Sequence, residues 1–300
     1  MDSFLGLNAS WDKPGVPPWK KRRYWRREYK EPGPRLIYKF RALPPLADID
    51  RWNVLRALLV DGEIWMAAPA TFTDPMDSHI HFEFTSTDAV ARRQELEKYL
   101  RKAGNLNSTQ FRKWVVASKV DITGMVADPA KLDAFFERVV KLHKEVSGVC
   151  SFCETVRQLS VWDGYADGHR GIALQFEPSR NPAAFLGYSV RYSDDPPVIR
   201  DWMTKRDTLK LLETLLRKST DYDHEREYRV FDPQRANYGR PYRPEALRAV
   251  IFGMRCDDAQ RNQMLALLDE REKRTGLRPK LYQAHMDPRS GRLRFKRYAR

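Results

Sequence analysis

Cysteine and long apolar runs are scarce in this 300-residue chain. Its three cysteines cannot all pair and are too few for a disulfide framework, which excludes the small secreted disulfide scaffolds. No apolar run approaches the roughly 20 residues that span a bilayer. The first residues also lack the basic and then apolar order of a secretory signal. We therefore expect a cytoplasmic protein that does not enter a membrane.

Sequence motifs that identify several large enzyme classes are missing too. There is no GxSxG nucleophile motif, no Walker A phosphate loop and no GxGxxG after a predicted strand. Cys150 and Cys153 have the spacing of a zinc knuckle, but no second such pair follows and Cys256 stands alone. These absences disfavour serine hydrolases, P-loop nucleotidases, Rossmann dehydrogenases and a structural zinc site, and we expect no metal.

Basic residues are abundant and are concentrated at the two ends. The formal net charge is +14, with nine basic and four acidic residues in 1–35 and six basic and no acidic residues in 289–300. Residues 1–35 are also rich in proline and aromatics, which predicts an extended arm. Such an arm either binds nucleic acid through phosphates and stacked bases or is a solvated tail. Its candidate nucleic-acid-binding residues are Lys20, Lys21, Arg22, Arg23, Arg26 and Arg27.

The pattern of residues 36–300 predicts a single α+β domain. The expected sheet is mixed and mainly antiparallel, and the helical segment 87–147 is an insertion or a cap over one of its faces. Strands are predicted at 36–41, 63–68, 149–153, 171–176, 188–192, 227–231, 247–253, 280–285 and 292–298. Helices are predicted at about 49–61, 87–103, 109–118, 129–147, 201–219 and 257–274.

Three polar segments are candidates for a functional site. Asp74 and Asp77 follow a strand, where they either bind a ligand or stabilise a turn. The run 160–171 joins aromatic residues to His169 and Arg170 between glycines. That run suits a planar ligand with a phosphate or carboxylate, or else forms a tight turn over buried aromatics.

The third segment is Glu225-Arg226-Glu227 at the start of a strand. Alternation places Glu225 and Glu227 on one face of that strand. Two such carboxylates can orient a ribose hydroxyl, stabilise an oxocarbenium-like carbon or hold a divalent cation. They can equally form a solvated face with arginine partners on neighbouring strands.

The order of these motifs resembles the uncharacterised bacterial family catalogued as domain of unknown function 2971, over about residues 36–253. The matching segments, in chain order, are 38–41, 65–69, 72–77, 151–153, 161–162, 165–167, 169–171 and 225–229. Thr73 and Val161 depart from the residues that this family more often shows. The resemblance implies a bacterial intracellular protein from defence-associated or mobile gene neighbourhoods, and it implies no established activity.

The pattern is also similar in order to ADP-ribosyltransferase-like folds, which cleave NAD+. By that analogy Glu227 is the catalytic carboxylate, Glu225 supports it and His169 bonds the ribose. The residues expected to bind the NAD cofactor are Tyr38, Lys39, Arg41, Asp74, Asp77, Trp162, Tyr165 and Arg170.

Two other functions stay open. The chain could be a non-enzymatic nucleic-acid-binding protein that uses its basic ends. It could also be a metal-dependent nuclease in which Asp74, Asp77, Glu225 and Glu227 bind magnesium. The sequence leaves the oligomeric state open.

Overall fold

A computed structural model describes Pro17 and residues 33–74, 76–79, 81–83, 88–195, 198–199, 214–232 and 235–298. The six candidate nucleic-acid-binding cations of the predicted arm lie outside these residues. Most of the predicted helix 201–219 lies outside them as well, and its end forms a short strand at Arg217–Lys218.

In chain order, the described strands are β1 (Ile37–Arg41), β2 (Glu63–Met66), β3 (His81–Phe82), β4 (Gly148–Cys153), β5 (Ile172–Phe176), β6 (Gly187–Ser189), β7 (Arg191–Tyr192), β8 (Val198–Ile199), β9 (Arg217–Lys218), β10 (Glu227–Asp232), β11 (Tyr238–Pro241), β12 (Leu247–Phe252), β13 (Lys280–Met286) and β14 (Leu293–Arg297).

The described α-helices follow the same order. They are α1 (Ile49–Arg56), α2 (Ala89–Ala103), α3 (Ser108–Ser118), α4 (Ile122–Ala127), α5 (Pro129–Val146), α6 (Leu159–Tyr165), α7 (Pro182–Phe185) and α8 (Asp258–Thr275). A π-helical turn, Ala57–Asp61, continues α1, and short 3-10 helices cover 69–71, 178–180, 220–225 and 244–246.

The chain packs into two compact units. The first contains the described parts of 1–67, 148–190 and 221–300, and the second those of 68–147 and 191–220. The predicted helical segment 87–147 therefore lies in the second unit, together with short strands.

The first unit is built on an eight-stranded sheet in the order β14-β13-β12-β5-β1-β4-β10-β6. Only the β12–β13 pair of this sheet is parallel, and α8 connects those two strands. Every other pair is antiparallel. The prediction of an α+β fold with a mixed, mainly antiparallel sheet is therefore confirmed at this level.

Strand alternation divides the core of the first unit between the two faces of the sheet. On one face Ile37, Phe152 and Leu174 belong to a large apolar cluster that also takes in α1, its π-helical turn and α8. On the other face Phe40 and Ala173 belong to a smaller cluster with α6. The sheet is therefore covered by helices on both sides.

Local signals set the ends of the helix that leads from β1 to β2. The Asp48 carboxylate caps α1 by accepting a hydrogen bond from the backbone N–H of Arg51 at 3.1 Å. Gly62 ends the π-helical turn in the left-handed region at φ 75°, which suits a residue without a Cβ. The two ends agree with the helix predicted at about 49–61.

The second unit contains α2, α3, α4 and α5 around its own apolar cluster, in which Leu96, Phe111, Ile122, Val126 and Phe136 are buried. Asn107 and Gln110 form a reciprocal capping box at the start of α3. The short helix α4 was not predicted, because Gly124 and Thr123 weaken a six-residue pattern. The strand β11 was not predicted either, and the predicted strand 188–192 is divided between β6 and β7.

Candidate functional site

A cavity of about 770 Å³ lies in the first unit beside β1. Its size is that of a small-molecule site. Its polar lining residues are Lys39, Arg41, Arg51, Asn53, Glu63, Cys150 and Tyr165, and its larger apolar ones are Phe40, Pro44, Val54, Leu55, Leu58, Ile64 and Trp65.

The cavity lies where β1 and β4 separate. These strands pair only at Tyr38 and Cys153. At its other end β4 is bonded to the residue after β2, since Val149 and Ala67 exchange backbone hydrogen bonds of 2.8 and 2.9 Å. β4 thus changes its neighbour from β1 to β2 within a few residues. β1 and β2 therefore form two walls of the cavity.

Lys39 satisfies a backbone group that this separation leaves unpaired. Its Nζ donates to the Ser151 carbonyl at 2.7 Å and lies 5.5 Å from the centre of the Phe152 ring. Burial lowers the pKa of the Lys39 ammonium, the Cys150 thiol opposes that shift and the Arg41 guanidinium adds to it. The Glu227 carboxylate raises the same pKa, which places negative charge near this lysine.

Arg41 lies on the same face of β1 as Lys39 and lines the cavity. Its side chain is half-buried, and burial lowers the pKa of its guanidinium. It forms no hydrogen bond or ion pair with any residue that the structure describes. A guanidinium partly removed from water without a carboxylate partner is a ready anion site.

Tyr165 reaches the cavity from the end of α6. Its hydroxyl donates to Glu225 Oε1 at 2.8 Å, and half of its surface is exposed. Burial raises the Tyr165 pKa, and the carboxylates of Glu225 and Glu227 raise it further. The structure thus brings together four predicted residues from three separate stretches: Lys39 and Arg41 on β1, Tyr165 and Glu225.

Glu227 is near this group but is already paired. Its two carboxylate oxygens accept hydrogen bonds from Arg229 Nε at 2.8 Å and Nη2 at 3.0 Å. Both side chains are buried, with 5% and 1% of their surface exposed. Glu227 is not among the residues that line the cavity. The sequence predicted that this carboxylate faces either solvent or a ligand. In the structure it belongs to a buried ion pair.

His169 and Trp162 lie in the core of the opposite face of the sheet. Their rings stack 5.6 Å apart, and the Trp162 indole N–H donates to the Val156 carbonyl at 2.8 Å. Trp162 has no exposed surface, so it packs as a core residue and offers no face to a ligand. His169 lies 3.5 Å from Asp163, and burial lowers its pKa, with Arg255 acting in the same direction.

Tyr38 and Arg170, two further candidates, lie outside the lining of the cavity. The Tyr38 hydroxyl accepts a hydrogen bond from Gln175 at 3.1 Å, and the side chain is buried. Arg170 is exposed and lies 3.8 Å from Asp167.

Asp74 and Asp77 belong to the second unit. The Asp74 carboxylate accepts from the Met76 backbone N–H at 2.8 Å, which is the bond of an Asx turn. Asp77 is buried and accepts from the Ser78 hydroxyl at 2.8 Å. Burial lowers the pKa of the Lys144 ammonium, and both carboxylates oppose this shift. Their observed contacts are those of a turn stabilised by aspartate side chains.

The sequence analysis assigned no ligand-binding role to several residues of the cavity lining, among them Glu63, Trp65 and Cys150. The signal was present in β2, where Glu63 and Trp65 are exposed while Ile64 and Met66 are buried. A tryptophan on the polar face of an alternating strand is uncommon and is the feature that could have pointed to this wall.

The described residues hold no cluster of three or more His, Cys, Asp or Glu side chains arranged to bind a metal ion. Within the same residues no helix has both the length and the apolar character to cross a membrane. Comparison with protein-family models, curated proteins and solved structures finds no match for this chain.

Proposed function

We propose that the cavity between β1 and β2 binds NAD+ and that the protein is an NAD-consuming enzyme of ADP-ribosyltransferase or NAD glycohydrolase type. One observation supports this above the others. Lys39 and Arg41 line the same opening as Tyr165, which bonds Glu225. Cations thus line the same cavity as a hydroxyl bonded to a carboxylate, and a ligand with a pyrophosphate and a developing positive charge on a ribose needs both kinds of group.

In this proposal each group has a defined task. Arg41 holds the pyrophosphate by bidentate hydrogen bonds, since its guanidinium has no other partner among the described residues. Glu225, acting through Tyr165, stabilises positive charge as the bond between ribose and nicotinamide breaks. The buried pair Glu227–Arg229 fixes the start of β10, so Glu227 is a positioning residue here. The family resemblance and a role in defence are part of the same proposal.

Nicotinamide release from NAD+ by the full-length protein tests the proposal. We expect turnover in the wild type and a loss of about tenfold or more in Tyr165→Phe, which removes the hydroxyl bonded to Glu225. Tyr282→Phe is the matched control, because this half-buried tyrosine lies outside the cavity. Full turnover in Tyr165→Phe, or none in the wild type, would contradict the proposal.

Nucleic-acid binding is a second candidate because the β13–β14 hairpin exposes basic side chains. Arg289, Arg292, Arg294, Lys296 and Arg297 are all exposed there, and Asp287 lies 3.6 Å from Arg294. Binding of RNA and DNA at two salt concentrations, by the full chain and by a chain lacking residues 1–34, tests it. Strong salt dependence without NAD+ turnover would favour this function over the first.

A further inference from the structure

The wall of the cavity that β2 provides has two polar or aromatic groups without partners. The Glu63 side chain forms no hydrogen bond or ion pair, and the Trp65 side chain no ring contact or hydrogen bond, with the residues that the structure describes. Trp65 has 52% of its surface exposed. An exposed tryptophan face and a free carboxylate therefore lie two residues apart on one wall.

The strand beside this wall leaves the space in front of it open. β11 pairs with β2 so that Gly239 lies directly opposite Trp65. Gly239 does not have a positive φ, so no left-handed conformation demands a glycine there. A Cβ at this position would approach Glu63 Oε2 to 2.3 Å. The absence of a side chain at 239 thus leaves room for the Glu63 carboxylate.

The three unpartnered groups match the three parts of a nucleotide. An aromatic face stacks on a base, with about 1–3 kcal/mol per base in other proteins. A carboxylate accepts hydrogen bonds from the two hydroxyls of a ribose, as in dinucleotide-binding folds. A guanidinium such as that of Arg41 binds phosphate. The groups lie on the walls of one cavity, with Arg41 on β1 and the other two on β2.

We infer that Glu63 and Trp65 form a nucleoside subsite, in which Trp65 stacks on the base and Glu63 accepts hydrogen bonds from the ribose hydroxyls, while Arg41 binds the phosphates. This inference rests on the proposed function for its choice of ligand and extends it to a residue-by-residue assignment. It also places recognition on β2, to which the sequence analysis assigned no ligand-binding residue.

Binding of ADP to the full-length protein by calorimetry tests the subsite without any turnover. We expect Trp65→Ala to weaken ADP binding about tenfold or more, which corresponds to the loss of one stacked base. Trp114→Ala, a partly exposed tryptophan of the second unit, is the control and should bind ADP as the wild type does. Circular dichroism before titration confirms that each variant is folded.

Three ligands distinguish the hydrogen bonds that Glu63 accepts from the effect of its negative charge. With ADP, Glu63→Gln should weaken binding, because a ribose hydroxyl loses its carboxylate acceptor. With 2′,3′-dideoxy-ADP and with pyrophosphate the variant should bind equally or more tightly than the wild type, because neither probe offers the ribose hydroxyls and one negative charge is removed. Glu245→Gln, which changes the same charge outside the cavity, is the control.

The outcomes also distinguish this subsite from the proposed activity. ADP binding with the expected losses, but no nicotinamide release, supports the subsite and overturns the proposed function. Wild-type protein that does not bind millimolar ADP overturns the subsite. So does a Trp65→Ala variant with unchanged affinity, or a Glu63→Gln variant that weakens ADP and dideoxy-ADP equally.

Discussion

Arg41 and Glu227, two charged residues predicted to share a site, have opposite surroundings. Arg41 lines a cavity and has no partner among the described residues, whereas Glu227 is held by both donors of Arg229. Alternation places a side chain on a face of a strand but does not say whether that face opens to a cavity or to the core. The sequence therefore identified both residues as candidates for the site but could not show which of them faces the cavity.

Removing the partner of Glu227 should destabilise the protein. Arg229→Met leaves a buried carboxylate without its bidentate donor, and breaking a buried ion pair in this way costs about 3–5 kcal/mol. Urea denaturation should show this loss in the free energy of unfolding. The neighbouring Arg226→Met, whose side chain is exposed and 3.9 Å from Glu154, should cost less than about 1 kcal/mol. Equal losses in the two variants would contradict the assignment.

His169 should titrate below its ordinary pKa of 6.5, because burial disfavours the imidazolium. A proton NMR titration should place its pKa lower still in Asp163→Asn, which loses a favourable charge. The pKa should be higher in Arg255→Gln, which loses an unfavourable one. An imidazole that titrates above 6.5 in the wild type would refute this account.

The same shift sets the direction of a pH effect on stability. As the pH falls below about 6.5, the unfolded chain binds the His169 proton before the folded chain does. The free energy of unfolding should therefore decrease until the pH reaches the lowered pKa of the folded state. His169→Asn, which tolerates the positive φ of 67° at this position, should lack that part of the slope.

At the level of elements, the separation of β1 from β4 determines where the cavity lies. A close backbone approach holds the C-terminal end of β1 in place. A Cβ on Gly171 would come within 2.1 Å of the Arg41 carbonyl oxygen, so β5 begins in contact with the end of β1. Gly253 approaches the His169 carbonyl as closely. Glycine is needed at these positions because backbone lies where a side chain would be.

Gly171→Ala should therefore destabilise the fold by about 1–3 kcal/mol, the usual cost of overpacking. Gly164→Ala provides a matched control in α6, since nothing lies within 4 Å of a Cβ added there. An alanine in that helix should be neutral or stabilise by up to about 1 kcal/mol. Thermal unfolding of both variants tests the difference, and a stable Gly171→Ala protein would show that the approach is not tight.

On the scale of the whole molecule, the apolar clusters of the two units share no residue among those described. The sheet unit has two clusters, one on each face, while the helical unit has a single smaller one. A core mutation in one unit should therefore loosen the elements that share its cluster.

Leu96→Ala tests this by hydrogen exchange. Leu96 is fully buried in the helical cluster, and its truncation should cost about 2–5 kcal/mol. Exchange should accelerate in the four helices from Ala89 to Val146 more than in β5 or β12. Leu268→Ala, fully buried in the sheet unit, should give the reverse pattern. Identical exchange maps for the two variants would contradict separate clusters.

The sequence by itself determined most of the elements, because their signals are local. Caps such as Asp48, Asp128 and Asp257 and the stop at Gly62 lie at the ends of the predicted helices. Alternation and apolar runs likewise indicated most strands of the large sheet. Weak or short patterns failed, as in α4 and β11, since few residues there carry a preference.

Only the tertiary structure decided which of the nominated residues share a cavity. Lys39, Tyr165 and Glu225 are far apart in the chain, and their meeting depends on strand pairing, which no local pattern encodes. Trp162 and His169 lie on the face of the sheet opposite the cavity, whereas Trp65 lies on the cavity wall. The sequence determines the chemistry of each side chain. Its neighbours are determined by tertiary packing and, at this cavity, by the point where β1 and β4 separate.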